Sequence, residues 1–254
     1  MPKSNLVRAR QVIDEVKLET SSSSNDEFIG EISISFGYAI KNELETKMYD
    51  IIKSAEDFMY RSKTLESPTY KKSAIEAMMN TLYEKDKLSE MHSHTVSEIC
   101  KKFGIHLSFS KSQIEELETA GFLHDIGKII IPTHIIQKKS SLTKEEYFEM
   151  KKHSEVGFRI LKSLEYMSEI ATIVLHHHER FDGKGYPKGL SGDMIPIQSR
   201  IIAIVDAFVL MTVNKSYGII MTKEEAIDEI LFHSGTQFDP ILVDHFVRVM
   251  KEAD

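Results

Sequence analysis

The stretch His177-His178-Glu179-Arg180-Phe181-Asp182-Gly183-Lys184-Gly185-Tyr186-Pro187 joins two adjacent imidazoles to a glycine-rich turn. Neighbouring side chains on a helix point about 100° apart, so both rings can reach one metal ion only where a helix ends or distorts. The stretch therefore predicts a helix that stops at the histidine pair and gives way to a tight loop. Gly183 and Gly185 permit that loop, and Tyr186-Pro187 stiffens it. Further upstream, His124-Asp125-Ile126-Gly127-Lys128 sets an imidazole beside a carboxylate, and each oxygen of such a carboxylate can bind a different cation.

All eleven histidines lie between His92 and His245, so histidine-rich metal chemistry belongs to the C-terminal two thirds of the chain. The candidate ligands are His92, His124, Asp125, His153, His177, His178 and Asp206. Their spacings are too wide for a local clip, so they must converge from separate helices, as the metal sites of helical bundles do. Imidazole and carboxylate donors suit Fe, Mn and Zn, whereas a thiolate site would need cysteines beyond the single Cys100. Two cations about 3.5–4 Å apart lower the pKa of a shared water and clamp both oxygens of an in-line phosphoryl displacement. Asp206 interrupts the apolar run Ile201–Met211, where an unpaired buried carboxylate would be costly, and coordination removes that cost. His92 taken alone reads equally well as a solvated helix histidine. His176 reads as a packing residue beside the site, and His94, His106, His134, His233 and His245 as surface or packing residues.

Around these positions the chain reads almost entirely as helix from about residue 69. Val96, Ile99, Cys100 and Phe103 form one apolar stripe, and Ile114, Leu117 and Gly121 another. Thr143 with Glu146 and Thr222 with Glu225 predict capping boxes, and Asp239-Pro240 an N-cap followed by a first-turn proline. The fold class expected is mainly α, a helical bundle. Before it, residues 5–18 read as a helix and Glu31–Tyr38 as a half-buried strand. Met48, Ile51, Ile52, Ala55 and Met59 mark a second helix. Pro68 disfavours helical geometry in Ser67 and marks the boundary between the two regions.

Hydrophobic residues make up 41% and charged residues 28% of the 254, an ordinary globular composition. The net charge of -7 gives no footing for binding a nucleic-acid polymer. One cysteine excludes an intramolecular disulfide, and no apolar run approaches the roughly 20 residues a bilayer requires. A cytoplasmic location without membrane insertion is the expectation.

Together the two motifs resemble the HD-GYP family, cyclic-dinucleotide phosphodiesterases within the wider group of HD metal-dependent phosphohydrolases. The flanks agree: Leu123 to Lys128, Lys152-His153 with Gly157, and Ser199-Arg200-Ile201 ahead of Asp206. The resemblance implies that His92, His124, Asp125 and Asp206 form one metal position and His153, His177 and His178 the other, with Asp125 bridging. It implies two divalent ions, Fe or Mn ahead of Zn, Ni or Mg, and hydrolysis of cyclic di-GMP to pGpG or GMP through a metal-bridging hydroxide. Asp125 and Lys128 are the catalytic residues it implies; Lys128, Lys215, Gly185 and Tyr186 would bind substrate. Some family members carry a Glu four residues before the first His, associated with a third metal. Here that position is Leu88, with Glu90 nearer, so two metals are expected.

The sequence departs from the family after Asp206, where a second Asp and two Arg are replaced by Val209, Lys215 and Gly218. Lysine keeps a charge but lacks the bidentate fork suited to phosphate. Another HD phosphohydrolase specificity is therefore the alternative, and a non-catalytic module binding a dinucleotide or a GGDEF domain is a second. Ile34-Ser35-Phe36-Gly37-Tyr38-Ala39 and Ala55–Lys63 resemble the end of a GGDEF, or diguanylate cyclase, domain, although no GGDEF sequence occurs. The organisation implied is a truncated GGDEF-like α/β fragment at 1–68 and an HD-GYP domain at 69–254. Its implied partners are a GGDEF-domain protein and a second copy of the chain.

Overall fold

The computed structural model describes residues 68–164, 167–213 and 220–252, with a few positions before residue 60. The chain divides into two compact units, Met1–Ile75 and Glu76–Asp254. In the first, Arg8, Gln11, Val12, Glu15 and Val16 are helical, as are Met48, Tyr49, residues 51–56 and Met59. The expected strand Glu31–Tyr38 lies outside the described residues, as does most of the motif closing at Lys63.

From Pro68 onward the described chain is helical. The order is α1 Pro68–Lys85, α2 Lys87–His106, α3 Lys111–Leu123, a 3-10 turn Ile126–Ile130, α4 Thr133–Ile136 and α5 Lys144–Lys162. There follow α6 Ser168–Leu175, a second 3-10 turn Gly192–Met194, α7 Ile197–Val213, α8 Lys223–Phe232 and α9 Pro240–Glu252. Among the described residues there is no strand, only an isolated bridge between Ser234 and Phe238.

Local chemistry explains where the helices start. Asp86 caps α2 by accepting from the Leu88 amide, and Thr143 and Thr222 open α5 and α8 with reciprocal capping boxes to Glu146 and Glu225. A third box, Ser110 with Gln113, opens α3 and went unread in the sequence. Asp239 Oδ1 accepts from the Ile241 and Leu242 amides ahead of α9, and Pro240 occupies the first turn, where its missing N–H costs nothing.

The core follows the apolar stripes. Val96, Cys100 and Phe103 of α2 and Leu117 and Ala120 of α3 are fully buried, as are Ile201, Ile202, Ile204, Val205 and Val209 of α7. Phe246 of α9 closes one end, with its ring centroid 5.9 Å from Phe103 and 5.3 Å from Phe208. Helix α2 packs on α3, α7 and α9, while α5 packs on α6 and on the first 3-10 turn. The polar side chains buried in this core are concentrated where α2, α3, α5, α6 and α7 bring the seven candidate ligands together.

Candidate metal centre

Each candidate ligand comes from an element whose end or face the sequence dictates. His92 projects from α2 and Asp206 from α7, both at positions where their helices are buried. Helix α3 ends at Leu123, so His124 and Asp125 lie in the link to the 3-10 turn. His153 sits on the buried face of α5. Helix α6 stops at Leu175, and His177 and His178 fall in the turn beyond it, with ring centroids 3.9 Å apart. The expected ending of the helix is what lets neighbouring rings face one space.

The donors form two adjoining groups. In the first, His92 Nε2 lies 3.0 Å from Asp206 Oδ1 and 3.3 Å from His124 Nε2. His124 Nε2 is 3.3 Å from Asp125 Oδ2 and 3.6 Å from Asp206 Oδ1. In the second, His153 Nε2 is 3.4 Å from His177 Nε2 and 3.1 Å from His178 Nε2. Within each of two triads, His92–His124–Asp125 and His153–His177–His178, the donor atoms all lie within 4.8 Å of one another. Asp125 touches both groups: Oδ2 faces His124, while Oδ1 stands 3.6 Å from His153 Nε2.

Hydrogen bonds on the far side of the rings fix which nitrogen is available. His124 Nδ1 donates to the Gly121 carbonyl at 2.7 Å, His153 Nδ1 to Met150 at 2.6 Å, and His177 Nδ1 to Val174 at 2.6 Å. Each bond assigns a proton to Nδ1 and directs Nε2 inward. His92 Nδ1, by contrast, is buried with no hydrogen-bond partner.

Electrostatics point the same way. Burial, then Lys128 and His124, hold His153 down at about 4 against the pull of Asp125. Burial, then His124 and His153, hold His177 at about 3, and His178 lies well below the ordinary range for the same kind of reason. Burial would also depress His124, but the carboxylates of Asp125 and Asp206 outweigh it and raise the group to about 10. Burial opposes ionisation of both carboxylates, yet Lys128 and His124 beside Asp125, and His124 and His92 beside Asp206, keep them well below the usual range. The neutral Nε2 lone pairs of His153, His177 and His178, and the two permanent carboxylates that hold a proton on His124 where a cation would take its place, make a set of donors that fits divalent cations. His92, His124, Asp125 and Asp206 would hold one position, and His153, His177, His178 and the second oxygen of Asp125 another.

The glycine at 127 is what allows Asp125 to reach across. A methyl group on Gly127 would stand 2.6 Å from the Gly157 amide nitrogen and 2.7 Å from the His153 carbonyl carbon, and closer still to the carbonyl oxygen. The 3-10 turn thus lies directly on the backbone of α5.

The loop after the histidine pair is anchored by Glu179, buried to 3% exposure, whose two carboxylate oxygens accept from the Lys188 amide at 2.7 Å and the Leu190 amide at 3.0 Å. Arg180 forks onto Asp182 at 3.0 and 2.9 Å and donates to Gln237, so this pair is structural. Gly185 passes so near the backbone of residues 178–180 that a methyl there would stand 2.5 Å from Glu179 Cα. Tyr186 then stacks on the His178 ring at 4.8 Å with the planes 30° apart.

Residues 75–242 match the HD domain family. The chain belongs to this family. Among curated relatives, this HD-domain chain is 36% identical over 214 residues to a cyclic di-GMP phosphodiesterase of Thermotoga maritima, covering 82% of the chain and 56% of the relative. It is 32% identical over 203 residues to a 3'3'-cGAMP-specific phosphodiesterase of Vibrio cholerae, covering 79% and 38%. It thus spans about half the length of these relatives or less. Among solved structures, an HDG"Y"P protein from Bdellovibrio bacteriovorus superposes with a TM-score of 0.57 at 18% identity, over 97% of this chain and 81% of that one, a likeness of fold.

Of the residues singled out from sequence, all seven candidate ligands meet in this HD domain. Lys128 is beside them, its ammonium donating to Asp125 Oδ2 at 2.6 Å. Gly185 and Tyr186 adjoin His178, whereas Lys215 and Gly218 lie outside the described residues. His176 Nδ1 stands 3.5 Å from Glu179 Oε1, beside the site. His94 packs edge-on against Phe122, His106 meets His245 at 3.3 Å, and His233 faces Glu229 at 3.2 Å. Glu90 is exposed in the first turn of α2. The anchoring role of Glu179 escaped the sequence reading. Its only signal was a carboxylate between a histidine pair and a glycine loop, and such a carboxylate is ordinarily solvated.

Proposed function

We propose that this chain is a metal-dependent phosphodiesterase that hydrolyses a cyclic dinucleotide, with cyclic di-GMP as the first substrate. The observation that carries the reading is Asp125, whose two oxygens face His124 on one side and His153 on the other. Divalent cations bound there would supply Lewis-acid stabilisation of charge on phosphorus oxygens and a lowered pKa for attacking water. Asp125 stays ionised because Lys128 and His124 flank it, and it orients both halves of the site. Lys128 already points its ammonium inward, so it needs only to share that charge with an arriving phosphate. Tyr186 and Gly185 line the approach past His178, and Lys215 is the further phosphate contact we assign.

Fe or Mn are the ions we assign, in two positions. The relative specific for 3'3'-cGAMP supports a second reading, in which the substrate carries one adenine and one guanine. We assign the HD-GYP domain to residues 69–254 and a GGDEF-like remnant to 1–68, in a cytoplasmic protein whose partners are a GGDEF domain or a second copy. Among the described residues no helix is long and apolar enough to cross a membrane.

The test is direct. Protein loaded anaerobically with Fe or Mn is incubated with cyclic di-GMP and, separately, 3'3'-cGAMP, and products are resolved by chromatography. Linear dinucleotide or mononucleotide is expected. A fully metallated protein that leaves both substrates intact refutes the reading.

A further inference from the structure

The geometry points to Tyr147 and Lys151 as a nucleobase-and-phosphate subsite at the mouth of the metal centre. This rests on the phosphodiesterase reading above and adds two residues to it. Both lie on α5 one helical turn apart, and Lys151 is only two residues before the ligand His153. Tyr147 stands six residues before His153, about 9 Å along the helix axis. The residue is 50% exposed.

The Lys151 ammonium lies 4.5 Å from the centre of the Tyr147 ring and 4.9 Å from the centre of the Tyr186 ring. Tyr186 in turn stacks on the candidate ligand His178. A continuous surface therefore leads from the metal donors through one aromatic ring and one cation to a second, open aromatic face. A cyclic dinucleotide presents two phosphates and two purines. The cations would engage the scissile phosphate, so the rest of the ligand must lie outside the donor cluster. An exposed aromatic face accepts a stacked base regardless of its sequence, and a nearby cation accepts the remaining phosphate. A cation on the face of a phenol ring is held weakly where solvent reaches it. A purine stacking on Tyr147 would displace the ammonium and leave it free for that phosphate.

The experiment uses the Mn-loaded protein and three probes: cyclic di-GMP, 3'3'-cGAMP and the base-free diester methyl p-nitrophenyl phosphate. Tyr147→Ala is expected to raise KM for the dinucleotide roughly 5- to 150-fold, the usual worth of one stacked base, with kcat little changed. Tyr147→Phe keeps the ring and should keep the wild-type KM. Lys151→Met keeps the aliphatic stem and should raise the dinucleotide KM, while all three variants hold wild-type metal content and wild-type rates on the base-free diester. Wild-type KM in Tyr147→Ala and Lys151→Met overturns the subsite and leaves the phosphodiesterase reading standing. Equal losses on the base-free diester also overturn it, because the two residues would then only support the fold. Turnover of the small diester with none of either dinucleotide by the wild-type protein sinks the substrate reading and the subsite with it.

Discussion

Replacing Gly127 by alanine tests whether the contact between the 3-10 turn and α5 sets the geometry of the metal centre. The added methyl would stand 2.6 Å from the Gly157 amide nitrogen, whereas carbon contacts relax at about 3.5 Å, so turn and helix must part by roughly 0.9 Å or more. Asp125 rides on that turn and His153 on that helix, with Oδ1 and Nε2 now 3.6 Å apart. Two donors bonded to one ion at about 2.1 Å can be at most about 4.2 Å apart. The present separation is within that limit; widened to about 4.5 Å, it is outside it. Overpacking of this kind costs about 1–3 kcal/mol, and in a domain of this size each kcal/mol lowers Tm by about 2–4 °C. Gly127→Ala is therefore expected to fold, to melt several degrees lower, and to carry less metal per chain after gel filtration. Gly104→Ala is the control, because its methyl would meet Ile114 and Leu117 side chains at an ordinary 3.4 Å and should leave metal content unchanged. Wild-type metal content and affinity in Gly127→Ala, measured by elemental analysis and calorimetry, would refute this dependence.

Asp125→Asn removes the shared charge and should strip metal from both groups of donors, seen as a loss of most bound metal rather than half. Retention of one full equivalent would show that Asp125 does not bridge. Glu179→Gln weakens the acceptor for two loop amides and, at about 1–3 kcal/mol for a poorly satisfied buried group, should lower Tm and dinucleotide turnover together; an unchanged turnover would release the loop from any role. The metal-free protein should be most stable near neutral pH. His153 at about 4 and His177 at about 3 lie below the unfolded value near 6.5, so their contribution is present above 6.5 and lost as pH falls, by roughly 1.4 kcal/mol per pH unit for each imidazole. His124, raised to about 10, contributes below 6.5 and loses its contribution as pH rises through 10. A urea midpoint that stays flat between pH 4.5 and 7 in chelator contradicts this assignment of neutral rings.

Much of this was legible in the sequence because the signals are local. Thr143, Thr222 and Asp239 announce their helix starts through the spacing of a cap and its partner, and the His177-His178 pair announces a helix end because adjacent rings cannot otherwise converge. The candidate ligand set could be collected from residue types and motif resemblance, although His92 alone carried no such signal. What stayed hidden depends on tertiary approach. Nothing in the order of residues says that Gly127 touches the backbone of α5, or that Asp125 turns one oxygen to each group. The same holds for Glu179, whose partners are nine and eleven residues ahead, and for Tyr147 and Lys151, which matter only because the loop brings Tyr186 over them. The pairing of Lys128 with Asp125, three residues away on the same turn, was equally silent in the sequence.

The unequal bracing of the candidate ligand rings has a kinetic consequence. His153 and His177 are tied to carbonyls of their own helical turns, and His178 is pinned beneath Tyr186, so these rings have little freedom to swing away. His92 has no such tether on its Nδ1. With two ions bound as proposed, exchange should therefore be stepwise, with the position beside His92 turning over first and the position beside His153 persisting. A chelator pulse followed by a different divalent ion would then yield a heterometallic protein, one original ion kept and one replaced, rather than a mixture of fully exchanged and unexchanged molecules.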